Sequence, residues 1–139
     1  MSFQTRYTKV IDLVSVYLNS GRNAILIQEH GHEVRYNVDA TKLKEHFASE
    51  EFDCIKFNFP HIKGKTNVLY NRELIRDFFA SASMAVSQNG QIQLALMRAQ
   101  AGMHSRTMTE WKQSWMPALY AAQNNLLLTK AESFQVSHA

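Results

Sequence analysis

The sequence has little of what fixes many small proteins. Cys54 is the single cysteine among 139 residues, which excludes an internal disulfide framework and suits a reducing compartment. No apolar run approaches the roughly 18 residues of a membrane helix, so nothing reads as a transmembrane span. The opening Met-Ser-Phe-Gln-Thr-Arg lacks an apolar centre and does not read as a signal peptide. There is no Walker loop, no Gly-x-Gly-x-x-Gly and no visible Ser-His-Asp pattern. His30-Gly31-His32 has no acid-and-cysteine set beside it and reads as surface histidines, with no metal site expected. Prolines number only two, Pro60 and Pro117, so each carries positional meaning.

What is present is a globular composition, 45% hydrophobic and 19% charged. The length suits one domain over residues 1–139. The net charge of +3 permits a polyanionic partner without requiring one. Between Lys56 and Arg76 the cations Lys56, Lys63, Lys65, Arg72 and Arg76 face one acid, Glu73. This run is either a solvated face or a phosphate-facing rim.

Taken in order, Val10, Ile11, Val14 and Leu18 fall on one helical stripe, and Asn19-Ser20-Gly21 is a stop signal. Ser2–Tyr7 is a possible short strand. Glu33–Val38 alternates as a strand with Val34, Tyr36 and Val38 on one face, and Lys42–Phe47 reads as a short helix. Asp53–Phe59 is the strongest strand, with Ile55, Phe57 and Phe59 on one face, and it stops at Pro60. Asn71 is expected to cap the next helix, with Glu73 in its first turn. Leu74, Ile75, Phe78, Phe79, Ala82 and Val86 form its apolar stripe, and Asn89-Gly90 its end. Gln91–Met97 reads as a strand and Arg98–Thr109 as a loop. A helix capped at Ser114 places Pro117 in the tolerant first turn, with Ala118, Leu119 and Ala122 inward. Leu126–Phe134 reads as a last strand. Strands alternating with helices imply an α/β fold with a mostly parallel sheet and right-handed crossovers.

Chemistry is expected at the carboxyl ends of the strands, where α/β proteins bind ligands. Asp39 follows a strand and can accept hydrogen bonds from a nucleoside; position alone favours an N-cap. Asn58, Pro60 and His61 place an amide, a stiff backbone and an imidazole at one strand end. Arg98, His104 and Arg106 can meet a substrate backbone. Trp111 and Trp115 either stack on a base or anchor the core, and the area tryptophan buries favours the core. Cys54 reads as a buried small hydrophobe.

Several ordered motifs carry a resemblance. They are Val38-Asp39-Ala40-Thr41-Lys42-Leu43, Phe52-Asp53 with Phe57-Asn58-Phe59-Pro60-His61, Asn71-Arg72-Glu73-Leu74 with Phe78-Phe79, Gly90-Gln91-Ile92, and Trp115. Together they resemble the rRNA uridine-N3 methyltransferase-like domain family over roughly residues 31–134. The resemblance implies a Rossmann-like class I methyltransferase fold, S-adenosylmethionine as cofactor and RNA, in particular rRNA, as partner. It also implies an intracellular setting, cytoplasmic or nucleolar. It places Asp39, Ala40 and Asn58 at the cofactor and Asn58, Pro60 and His61 at the methyl group and target base. Asn71 and Arg72 match the family's Asn-Arg pair, and with Lys63 and Lys65 of the basic run and Arg98 and Arg106 at a strand end they are expected toward RNA. Members of the family open with a strand and a glycine-rich loop around the cofactor, whereas the first glycine here is Gly21. The expectation is therefore an N-terminally truncated sheet, with the first strand and glycine-rich loop missing. Ser2–Tyr7, or strand exchange in a homodimer, would then complete it. The alternative function is a catalytically inactive remnant that binds RNA or protein.

Overall fold

The strand expected to organise the chain, β2 (Phe52–Asn58), is the middle of a three-stranded sheet in a computed structural model that describes residues 9–14, 28–60 and 67–133. Its neighbours are β1 (Val10–Val14) and β3 (Val86–Ala95), and both pair with it in parallel. The register sets Val10 opposite Cys54 and Val14 opposite Asn58, and on the other side Asn58 opposite Ala95. All three strands therefore end at one level.

Side chains alternate across the sheet. One face carries Ile11 and Leu13, Ile55 and Phe57, and Ile92 and Leu94. All six belong to or pack on the apolar core. The other face carries Asp12, Cys54, Lys56, Asn58, Gln91 and Gln93. Cys54 is buried there, as expected of a small hydrophobe, while Asp12, Gln91 and Gln93 are exposed.

After β2 the chain crosses over in α2 (Val68–Ala85), the long helix expected from its apolar stripe. A short α1 (Leu43–His46), preceded by a 3₁₀ turn over Ala40–Lys42, comes before β2. Ile75, Phe78, Phe79 and Ala82 of α2 are buried against the sheet. The Phe57 and Phe78 rings lie 4.7 Å apart. Phe47 meets Phe52 edge-on at 5.3 Å, and the buried Ser81 hydroxyl accepts from Leu43 N at 2.9 Å. Three short helices follow β3: α3 (Arg98–Ala101), α4 (Met108–Gln113) and α5 (Pro117–Gln123). Pro117 stands at the start of α5, where its missing N–H costs nothing.

Several expectations are corrected. Val10–Val14 is a strand, because its apolar residues satisfy a parallel partner, Cys54–Asn58, as well as a helical stripe. Glu33–Val38 alternates but forms no strand: Val38 packs against the core, while Tyr36 is 63% exposed. Asn67, not Asn71, caps α2: its side chain accepts from Leu69 N at 2.8 Å. Glu73 consequently lies beyond the first turn, and Asn71 is buried within the helix. The helix ends at Ala85 and β3 starts directly, so Asn89 and Gly90 lie inside a strand. They occupy a register irregularity in which the stretch between Val86 and Gln91 faces Asp53 alone. A Cβ at position 90 would sit 2.9 Å from the Asp53 carbonyl oxygen, which explains the glycine. The loop expected over 98–109 contains α3 and the start of α4. Met116, not Ser114, holds the N-cap position of α5, and Pro117 and Ala121 turn inward in place of Ala118, Leu119 and Ala122. Residues 126–133 form no strand, and Leu127 is 85% exposed. The possible strand over Ser2–Tyr7 lies outside the described residues.

Candidate functional site

Parallel strands that end together leave a shelf of loop backbone along one edge, and here Asn58 is its centre. Asn58 Nδ2 donates to Asp12 Oδ1 at 3.0 Å. An ionised carboxylate only accepts, so Asn58 must present its amide hydrogens to Asp12. Its carbonyl Oδ1 is then directed elsewhere as an acceptor. Asp12 was not singled out by sequence reasoning, because its stretch was read as helical. Read as a strand beside β2, the acid two residues before its end is the signal that finds it.

Phe59 continues the β2–β3 ladder, donating from its N to Ala95 O at 2.8 Å. Its φ is +49°. A bulky residue in the left-handed region is an outlier, and the residue before a proline is ordinarily extended. Such strain costs about 1–3 kcal/mol and collects where surrounding structure enforces a functional geometry. Pro60, fully buried, anchors the far side of the kink. The structure thus brings Asn58, Phe59 and Pro60 into one fixed corner with Asp12. His61, Lys63 and Lys65 lie outside the described residues.

Asp39 sits in a different hydrogen-bonded unit. Its Oδ1 accepts from Thr41 N at 2.9 Å and Thr41 Oγ1 at 2.6 Å, the N-cap arrangement that position favoured. Its own N donates to His46 Nε2 at 3.0 Å. The Thr41 side-chain bond is the main reason the Asp39 carboxyl is held below its usual range; burial opposes it, and Thr41 N, Lys42 and His46 assist. Ala40, half-buried, packs on the core. Among the described residues the Asn58 amide meets Asp12, and the Asp39 carboxylate meets Thr41.

The cations disperse. Arg72 lies in the second turn of α2, and its Nε donates to Ser114 O at 2.8 Å while a second nitrogen donates to Lys112 O. It ties the carbonyl end of α4 to α2. Arg76 pairs with Asp77 at 3.2 Å and Glu73 at 3.6 Å. Lys56 stands on the polar face of the sheet. Asn71 is buried, and its Nδ2 donates to Asn67 O at 3.1 Å, fixing the first turn of α2. Arg98 is exposed at the start of α3, and Arg106 is exposed in the loop before α4. Trp115 is buried, the packing role expected of both tryptophans, whereas Trp111 is 39% exposed. A shallow hollow of about 400 Å³ is lined by Gly102, Ser105, Arg106, Thr107, Met108 and Trp111. Among the described residues no group of histidine, cysteine and acidic side chains is placed to hold a metal ion, and no helix is long and apolar enough to cross a membrane.

A parallel sheet with helical crossover and a kinked polar corner at its carboxyl edge is an α/β arrangement consistent with a methyltransferase-like fold. The chain belongs to the BMT5-like family, described as rRNA (uridine-N3-)-methyltransferase BTM5-like, whose profile matches residues 3–138. It is similar to the human ferredoxin-fold anticodon-binding domain-containing protein 1, 36% identical over 115 residues, which are 81% of this chain and 18% of that protein. The mouse homolog is 36% identical over 106 residues, 74% of this chain and 17% of that protein. The chain thus spans less than a fifth of the length of these relatives. No solved structure matches it.

Proposed function

We propose that the chain is a Rossmann-like class I methyltransferase domain that acts on RNA, rRNA in particular, with S-adenosylmethionine as cofactor, inside the cell. Family membership supports the reaction class. The observation that carries the proposal to particular residues is the strained Asn58-Phe59-Pro60 corner at the carboxyl edge of the sheet.

The donor set fits a nucleoside cofactor in one respect. Asp39 is held ionised and spends Oδ1 on Thr41. Oδ2 remains available as an acceptor for ribose hydroxyls, beside Ala40. S-adenosylmethionine, when bound, supplies an electrophilic methyl group. The remaining work falls to the chain. Asn58 Oδ1, directed by Asp12, would accept from an amino group of the cofactor and so leave the uridine N3–H to His61. Pro60 and the kink at Phe59 hold Asn58 against thermal rotation. His61, which the family motif sets beside the target base, takes the N3 proton as the local imidazole. Lys63, Lys65, Arg98 and Arg106 meet phosphates. Asn71 and Arg72 support the RNA-facing segment by fixing α2 and α4.

Incubation with tritiated S-adenosylmethionine and a folded rRNA fragment tests the reading. Label is expected at N3 of a uridine with the wild-type chain. Asn58→Ala and His61→Ala are each expected to lower the rate about a hundredfold or more, as loss of a positioned polar group at a reacting centre does. Unchanged rates in both variants would remove this corner from the reaction.

A further inference from the structure

The hollow between α3 and α4 is built more firmly than its open shape suggests. Gly102, with φ +72°, closes α3, and its N donates to Arg98 O at 3.2 Å. A Cβ there would meet Ser114 Cβ at 2.6 Å, so the floor admits no larger residue. Thr107 Oγ1 accepts from Glu110 N at 3.1 Å, and Glu110 Oε2 accepts from Arg106 N at 2.9 Å. Trp115 N donates to Gln100 O at 2.7 Å, and Arg72 holds the carbonyls of Lys112 and Ser114. The loop, the floor and the helix carrying Trp111 are thus fixed to one another and to α2.

Three properties of this fixed surface point to one ligand class. Trp111 offers a partly open aromatic face beside the exposed Met108. Among the described residues Arg106 is the one charged residue lining the hollow, and the neighbouring Glu110 carboxylate is turned to the Arg106 backbone. Ser105 and Thr107 add hydroxyls at the rim. Single-stranded RNA is held by this combination: a base stacks on an aromatic ring while a cation meets the adjoining phosphate. A shallow hollow suits a base that is covered on one face and keeps its backbone in solvent.

We propose that the hollow is a subsite for an unpaired base of single-stranded RNA, which stacks on Trp111 with its phosphate on Arg106. This rests on the RNA-directed reading above and extends it: α3 follows β3 by two residues, so the subsite lies on the same edge of the sheet as Asn58. The bound base would be a neighbour of the target, which fixes the register of the strand.

The test titrates the full chain with a short oligouridylate, reading RNA anisotropy and tryptophan emission together. The expected result is saturable binding with quenching of Trp111, since Trp115 is buried. Trp111→Ala is expected to weaken binding by about 5- to 150-fold, the range of one lost base stack. Trp111→Phe retains a ring, so it is expected to bind nearly as well while losing the emission change, and it guards against misfolding of the alanine variant. Arg106→Ala is expected to reduce the salt slope by about one. An abasic oligomer is expected to bind without quenching. Binding by oligouridylate that is unaffected in Trp111→Ala, or matched by the abasic oligomer, would overturn the subsite and leave the RNA-directed reading standing. Absence of RNA binding by every form would overturn both.

Discussion

Asn58 owes its direction to Asp12, and this pair is the most informative contact at the edge of the sheet. Asp12→Asn can offer hydrogen to the Asn58 amide as well as accept it, so the flip of Asn58 is no longer fixed. The expected outcome is methyl transfer reduced at least tenfold with little change in melting temperature, since Asp12 is exposed. Asp39 admits a sharper separation. Asparagine caps as well as aspartate, so Asp39→Asn should retain stability, whereas Asp39→Ala should lose about 1 kcal/mol in a denaturant titration. Both should weaken the cofactor. The Thr41 bonds hold the folded-state pKa of Asp39 below the unfolded one. The stabilisation from the ionised cap is therefore present above about pH 4 and is lost as pH falls through the lower folded value. A pH-dependent melt of wild type against Asp39→Asn checks the sign: the two curves coincide near neutral pH, and the wild type falls below the variant toward acid. At this scale the sequence was legible where a residue's type limits its options. Asp39 before a turn, Cys54 in an apolar strand and Pro117 at a helix start stand as expected. Asp12 and the partnering of Arg72 and Arg76 were hidden, because each depends on which element lies alongside.

The elements divide in the same way. The strand expected over Asp53–Phe59 and the long helix α2 are legible as elements, though not at their ends, because both carry an unbroken apolar face matched to one period. Val10–Val14 fits both periods, and only its parallel partner decides it. Glu33–Val38 and Leu126–Ser133 have the alternation or apolar content of strands but find no ladder. Gly90 is the element-level prediction. The irregularity in β3 is held by Ser87 Oγ, which donates to Asp53 Oδ1 at 3.0 Å, while Asp53 Oδ2 accepts from Lys9 N at 2.8 Å. Gly90→Ala forces its Cβ against the Asp53 carbonyl and should cost about 1–3 kcal/mol, as overpacking does. Arg72→Ala should release α4 from α2. The lost bonds to two carbonyls predict about 1–2 kcal/mol of destabilisation, and hydrogen exchange should rise selectively over residues 108–116. An effect on RNA binding with no change in exchange there would instead make Arg72 a direct RNA contact.

At the scale of the molecule, the arrangement of the described residues is one-sided. The core lies on the face of the sheet that meets α2, and the opposite face exposes Asp12, Gln91 and Gln93. Parallel sheets are ordinarily covered on both faces. Of the basic run, the described cations lie apart, Lys56 on the sheet face, Arg72 on the α4 carbonyls and Arg76 beside an acid pair, while Lys63 and Lys65 lie outside the described residues. Phosphate contact by Lys63, Lys65, Arg98 and Arg106 predicts that the logarithm of affinity falls with a slope of about −2.8 against that of salt, about −0.7 for each of the four. The central claim, that this chain holds S-adenosylmethionine for RNA methylation, is tested most directly by isothermal titration calorimetry of the cofactor into the full chain. Saturable micromolar binding that weakens in Asp39→Asn, with the fold retained, is the predicted result. Millimolar or no binding by the wild-type chain would contradict it and leave an inactive RNA- or protein-binding module in its place.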